Sequence, residues 1–150
     1  MNLIEQSAVT IITGVLAAIS VPNFLGLYNN YKLNNATTNI YWSLVEAQKK
    51  AQQHSKKCTL NLPEAPLSDQ SVMTSSPADC LVSSYRQLSE GIVLKTDLEN
   101  IIFSFRGLPT ETGTIIVSLP KGTNEKRCVE IVDNLGLIQQ GIYKNSNCQF

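Results

Sequence analysis

The sequence is short of the groups that most chemistry requires. It has one histidine, His54, set in the lysine-rich run "KKAQQHSKK", where it reads as a surface residue rather than a base. No G-x-S-x-G, HExxH, P-loop or GxGxxG occurs. The carboxylates Glu111, Glu125 and Glu130 lie near turns or strands and do not converge, so catalysis is not expected and no cofactor is implied. Charge of either sign is not in surplus: twelve basic side chains face twelve acidic ones. Phosphate contacts are made by Lys and Arg, so the balance argues against nucleic acid as a partner. The lysine-rich run itself reads as a solvated helix end, where cations suit the negative end of the dipole. No repeat or low-complexity segment appears, and 150 residues suffice for one domain with an appended element.

There is also no CxxC pair. A tetrahedral zinc site draws its ligands in closely spaced pairs, so the four cysteines, Cys58, Cys80, Cys128 and Cys148, are not read as metal ligands. Two disulfides fit better and place the body of the chain in an oxidising compartment. Reduced thiols in a cytosolic core are the alternative. Of the three possible connectivities the sequence-local pairs, Cys58–Cys80 and Cys128–Cys148, are preferred.

Charge is most conspicuously missing from Leu3 to Leu27, where Glu5 is the only ionisable side chain. A transmembrane helix needs ~20 mostly apolar residues, and this stretch is long enough. Gln6, Ser7, Thr10, Thr13 and Ser20 dilute it. No basic region precedes the apolar part and no A-x-A-like site comes after it, so it does not read as a cleaved signal peptide. A carboxylate costs ~2.5–3.5 kcal/mol at the centre of a membrane helix and less near an interface. At a helix N-terminus the dipole offsets ~0.3–1 kcal/mol of that. Glu5 at headgroup level is therefore one expectation.

Beyond Pro22 the chain is amphipathic. Leu33, Ala36, Ile40, Leu44, Ala47 and Ala51 recur at steps of three and four, one face of a helix. Glu46 and Lys50 stand four apart in the favourable order. One helix from about Asn2 to Ser55 is expected, weak at Gly14 and Pro22, since Pro removes a backbone donor and Gly costs ~1 kcal/mol against Ala. A bend or partly unwound segment is expected between them. The stretch "TLNLPEAPLSDQSVMTSSPADC" reads mostly as a connecting loop. Then "GIVLK", "NIIFSF", "GTIIVSL", "RCVEIV" and "LIQQGIY" read as strands separated by turn residues. Their close spacing predicts an antiparallel sheet whose apolar face the amphipathic helix covers, an α+β fold. The expected organisation is 1–28 as a hydrophobic transmembrane or filament-core helix and 29–150 as a globular domain. Within the latter, 29–55 is the amphipathic helix half and 56–150 is loop and sheet.

"NLIE" with "GVLAAISVPNF" after it resembles the N-terminal motif of the type IV pilin superfamily, pilins and pseudopilins alike. The resemblance covers about the first 24 residues. It implies a leader removed by a prepilin peptidase, methylation of the new N-terminus, an assembly glutamate at Glu5 and the family proline at Pro22. Met1 is then either the processed, methylated residue or an initiator. The segment "FSFRGLPTETGTIIVSLPKGTNEKRCVEIVDNLGLIQQG" resembles, more weakly, the GspH/FimT group of minor pilins and pseudopilins. Members of that group proposed to bind DNA carry arginines just after the glycine of the last turn. Here Gly136 is succeeded by Leu137, Ile138 and Gln139.

The resemblance implies that the Met1 amine of one subunit pairs with Glu5 of a neighbour in the apolar core of a helical filament. Removing one partner of a buried ion pair costs ~3–5 kcal/mol, so a subunit out of register is penalised. The leading expectation is a structural subunit of an extracellular pilus-like filament, a homo-oligomer. It would be held first in the inner membrane and then built by a pilus or secretion assembly machinery onto the bacterial cell surface. The alternatives are a minor pilin or type II secretion pseudopilin of GspH/FimT type, and a membrane-anchored periplasmic binding domain. The exposed turns and the tail "YKNSNCQF" are where adhesion is expected.

Overall fold

The computed structural model describes residues 2–63, 71–98, 100–120 and 125–150, with the side chains of Leu3 and of residues 19–23 left out of the description. The chain divides into two compact units, Met1–Tyr31 and Lys32–Phe150. One helix, α1 (Leu3–His54), supplies the first unit and the opening of the second. It is continuous through Gly14 and Pro22, so the unwound segment expected there is not present in this structure. An interior proline costs a helix ~3 kcal/mol and one donor, which a helix of this length absorbs.

In the second unit the six apolar positions read from the sequence, Leu33, Ala36, Ile40, Leu44, Ala47 and Ala51, are all buried, none more than 2% exposed. Two polar side chains share that face, Thr37 and Ser43. Thr37 Oγ1 donates to the Leu33 carbonyl at 2.8 Å. Ser43 Oγ has no hydrogen-bond partner among the described residues. The helix stops at a Schellman motif: Lys56 N–H donates to the Ala51 carbonyl (3.2 Å) and Ser55 N–H to that of Gln52 (3.3 Å). Ser55 takes the left-handed conformation, φ +50°, where glycine is the usual residue.

Among the described residues eight strands come after the helix: β1 (Cys58–Asn61), β2 (Thr74–Ser76), β3 (Val93–Thr96), β4 (Ile101–Phe103), β5 (Gly113–Ser118), β6 (Arg127–Ile131), β7 (Ile138–Lys144) and β8 (Asn147–Gln149). They form two sheets, β2-β1-β4 and β3-β5-β6-β7-β8, with every pairing antiparallel. The sequence led to a single sheet, and to a loop where β1 and β2 lie. Those two strands, Cys-Thr-Leu-Asn and Thr-Ser-Ser, carry no run of bulky β-branched or aromatic residues to mark them. The tail forms β8 by a tight turn at Asn145 and Ser146, both with positive φ. Asn-Gly is the usual signature of such a turn, and Asn-Ser hid it.

The long helix packs its Lys32–His54 portion on this antiparallel framework, an α+β fold. The core joins the helix stripe to Leu60, Ile101 and Phe103 of one sheet and to Ile115, Val117, Val129 and Ile131 of the other. Both disulfides close as the sequence-local pairs. Cys58–Cys80 ties β1 to the turn Ala78–Cys80, and Cys128–Cys148 joins β6 to β8 across β7.

Candidate assembly site

The first unit shows what α1 looks like when nothing in the chain covers it. At 3.6 residues per turn each residue advances about 100° around the axis. Ile4, Val9, Ile11, Ile12, Val15 and Leu16 therefore fall within an arc of about 160°, and each is between 56% and 81% exposed. An apolar arc this broad, left uncovered, is one that other molecules bury. Added side-chain carbons at Gly14 and Gly26 would meet nothing within 4 Å. Neither glycine is required by a contact within the chain, although each weakens the helix by ~1 kcal/mol relative to Ala.

Three of the hydroxyls that dilute this segment, those of Ser7, Thr10 and Thr13, are satisfied within the helix. Ser7 Oγ donates to the Ile4 carbonyl (2.9 Å), Thr10 Oγ1 to that of Gln6 (2.8 Å), and Thr13 Oγ1 to those of Val9 (2.9 Å) and Thr10 (3.0 Å). A hydroxyl carried unpaired into an apolar medium costs ~1–3 kcal/mol on protein scales. Back-bonding to the helix removes most of that cost, so these residues hinder burial less than their polarity suggests. Among the described residues no helix is long and apolar enough to cross a membrane.

Glu5 sits in the first turn as a capping residue. Its Oε2 accepts from the backbone N–H of Asn2 at 3.1 Å, while the Asn2 carbonyl accepts from the N–H groups of Glu5 (2.9 Å) and Gln6 (3.3 Å). This is the back-reach of a capping box, with Asn2 at the N-cap and Glu5 three residues on. The spacing Asn-x-x-Glu is present in the sequence, but an isolated charge in an apolar run masks the local role of its neighbour Asn2. A carboxylate offers about four lone-pair sites, so one bond to Asn2 leaves capacity for a second donor. Met1, the expected partner type for Glu5, lies outside the described residues, as does the side chain of Pro22. The two disulfides belong to the second unit.

In that second unit, helix side chains hold the turns. Gln48 Nε2 donates to the carbonyls of Gly107 and Gly136, each at 3.0 Å, and Gln52 Nε2 to that of Arg106 at 3.1 Å. Gly107 and Gly136 have φ of +74° and +83°, and a Cβ would run into Gln52 at the first and into Gln48 at the second. Asp133 Oδ1 accepts from the N–H groups of Leu135 and Leu137 and sets the second turn. Leu135 and Leu137 project into solvent on either side of Gly136. The sequence pattern pairs Glu46 with Lys50. In the structure the Glu46 carboxylate instead accepts from the N–H groups of Val82 and Ser83, each at 3.2 Å, and from the Ser83 hydroxyl. His54, Glu111 and Glu125 are exposed and Glu130 is half-buried on β6.

The crystal structure of the Pseudomonas aeruginosa (strain PAO1) type IV minor pilin FimU superposes on this chain with a TM-score of 0.52. The match covers 80% of this chain and 94% of that one at 13% sequence identity. The fold is that of a type IV pilin. No family model matches the chain, and no curated protein matches it in sequence. That fold sets a long N-terminal helix against a sheet-bearing body.

Proposed function

We propose that this chain is a minor-pilin-type subunit of a type IV pilus-like filament or of the related secretion pseudopilus. The observation that carries the reading is the match along nearly the whole of a minor pilin's length. The exposed apolar side chains of the helix from Ile4 to Leu16 support it. Before assembly the apolar segment holds the subunit in the inner membrane, and after assembly it lies in the filament core. There Glu5 exchanges its bond to Asn2 for the Met1 amine of a neighbour. The exchange is favoured by magnitude. An intrachain hydrogen bond contributes ~1 kcal/mol net, whereas a buried ammonium left without its partner costs ~3–5 kcal/mol. Unwinding between Gly14 and Pro22 in the filament would lengthen the subunit.

The test is quantitative mass spectrometry of filaments sheared from cells, reading subunit abundance and the N-terminal peptide. A trace component with a methylated Met1 is expected. Dominance of this chain would replace the minor-subunit reading with a major pilin. Absence from the sheared fraction, with an unprocessed end in the membrane, would leave an anchored domain. Glu5→Gln is expected to lower incorporation at least about tenfold, one factor of ten per 1.4 kcal/mol. The subunit's own melting temperature should hardly change, because the cap is exposed.

A further inference from the structure

Trp42 is the chain's only tryptophan, and it lies outside the core, 42% exposed. Its ring stacks on that of Tyr85, with centroids 6.2 Å apart and planes 28° from parallel. Tyr85 comes from the short turn Ser84–Arg86 and is itself 43% exposed. Tyr41 meets Trp42 edge-on at 5.2 Å and fixes it from behind. The two stacked rings line a groove of ≈ 390 Å³ with Lys49, Lys50, Gln53 and Ser83. The Glu46 carboxylate in the same groove is already occupied by the Val82 and Ser83 N–H groups and the Ser83 hydroxyl. The ammonium groups are thus the charges left to meet a ligand.

Holding down the 81–86 segment does not account for the rings. Glu46 holds it through three hydrogen bonds, and Leu81 is buried beneath it. The stacked pair leaves part of its ring surface open to solvent, with two cations and a carboxamide lining the same groove. Aromatic faces carry the negative part of the ring quadrupole and attract partially positive hydrogens. One side of a pyranose presents such C–H groups, and the volume falls at the small-ligand end of binding sites.

We propose that this groove binds an acidic saccharide unit of the uronic acid class. The sugar's C–H face lies on Trp42 and Tyr85, its carboxylate meets Lys49 and Lys50, and Gln53 and Ser83 serve its hydroxyls. A single nucleic-acid strand would need a basic track along several phosphates. Two lysines beside a glutamate, in a chain of zero net charge, do not provide one. The proposal stands independently of whether the subunit is minor or major.

Because Trp42 is the sole indole, its fluorescence reports the groove directly. Full-length chain in detergent micelles is titrated with trigalacturonate, with neutral galactotriose and with a deca-thymidine oligonucleotide. The expected result is a saturable change in emission with trigalacturonate. Binding should be at least about tenfold weaker for galactotriose and for the Lys49→Gln/Lys50→Gln variant, whose melting temperature should be unaltered. Tyr85→Ala should abolish the response and Tyr85→Phe keep it, with circular dichroism confirming that both fold. Silence toward trigalacturonate would overturn the proposal, and equal affinity for galactotriose would overturn its acidic part. A response to the oligonucleotide alone would reassign the groove to single-stranded nucleic acid. Emission that changes only with protein concentration would reassign it to a second copy of the chain.

Discussion

Ile12 and Ile40 belong to the same helix and live in opposite surroundings: Ile12 is 59% exposed and Ile40 not at all. The difference comes from the patterning around them. Near Ile12 the apolar side chains spread over a broad arc that is left exposed. Near Ile40 they fall on one stripe, and two sheets cover it. A covered stripe is a demand that the chain meets by itself, whereas an exposed arc is a demand on other molecules.

Substitutions can break that contrast. Ile40→Ala is expected to cost the second unit ~2–5 kcal/mol through lost burial and a cavity, seen as a large drop in melting temperature. Ile12→Ala should leave thermal stability within ~0.5 kcal/mol, as exposed substitutions do, yet reduce incorporation into filaments. Equal melting losses for the two would erase the distinction. Cys148→Ser, which frees β8 from β6, is expected to cost ~2–5 kcal/mol, measured by thermal melting under oxidising conditions. An unchanged melting temperature would mean that β7 holds the tail unaided. Gly136→Ala puts a side chain at φ +83° against Gln48, and the left-handed conformation alone costs ~1–2 kcal/mol. Denaturant unfolding should show a lower midpoint. Ser43→Ala removes a buried hydroxyl without a partner among the described residues and should raise stability by ~1 kcal/mol. A loss instead would reveal a partner for Ser43 Oγ.

Much of this was legible in the sequence. The buried face of α1 could be read position by position, because a 3.6-residue period over several turns leaves little ambiguity. Strands β3 to β7 announced themselves as β-branched runs between turn residues. Strands β1, β2 and β8 did not, since Cys-Thr-Leu-Asn, Thr-Ser-Ser and Asn-Cys-Gln hold no such run, and one tight turn is made by Asn-Ser in place of Asn-Gly. The split into two sheets is a matter of which strand ends meet, and local pattern carries no such information. At the assembly end the charge of Glu5 was obvious and its capping bond to Asn2 was not, although the spacing was there. Gln48 and Gln52 were hidden for a different reason. Their partners are backbone carbonyls of turns 54 to 88 residues away, and a carbonyl has no letter in the sequence.

Those glutamines also decide how the body of the protein meets its surroundings. Together with Asn39, whose amide donates to the Gln87 carbonyl at 2.9 Å, they fasten the helix to three separate turns through carboxamides, with the Glu46 carboxylate as a further hold on the third. A carboxamide neither gains nor loses a proton at any acidity a cell encounters, and it presents no net charge for dissolved ions to screen. Brackish water, acid or a change of host fluid therefore leaves the carboxamide fastenings as they are, a useful property in any part that must keep its form beyond the buffering of a cytoplasm.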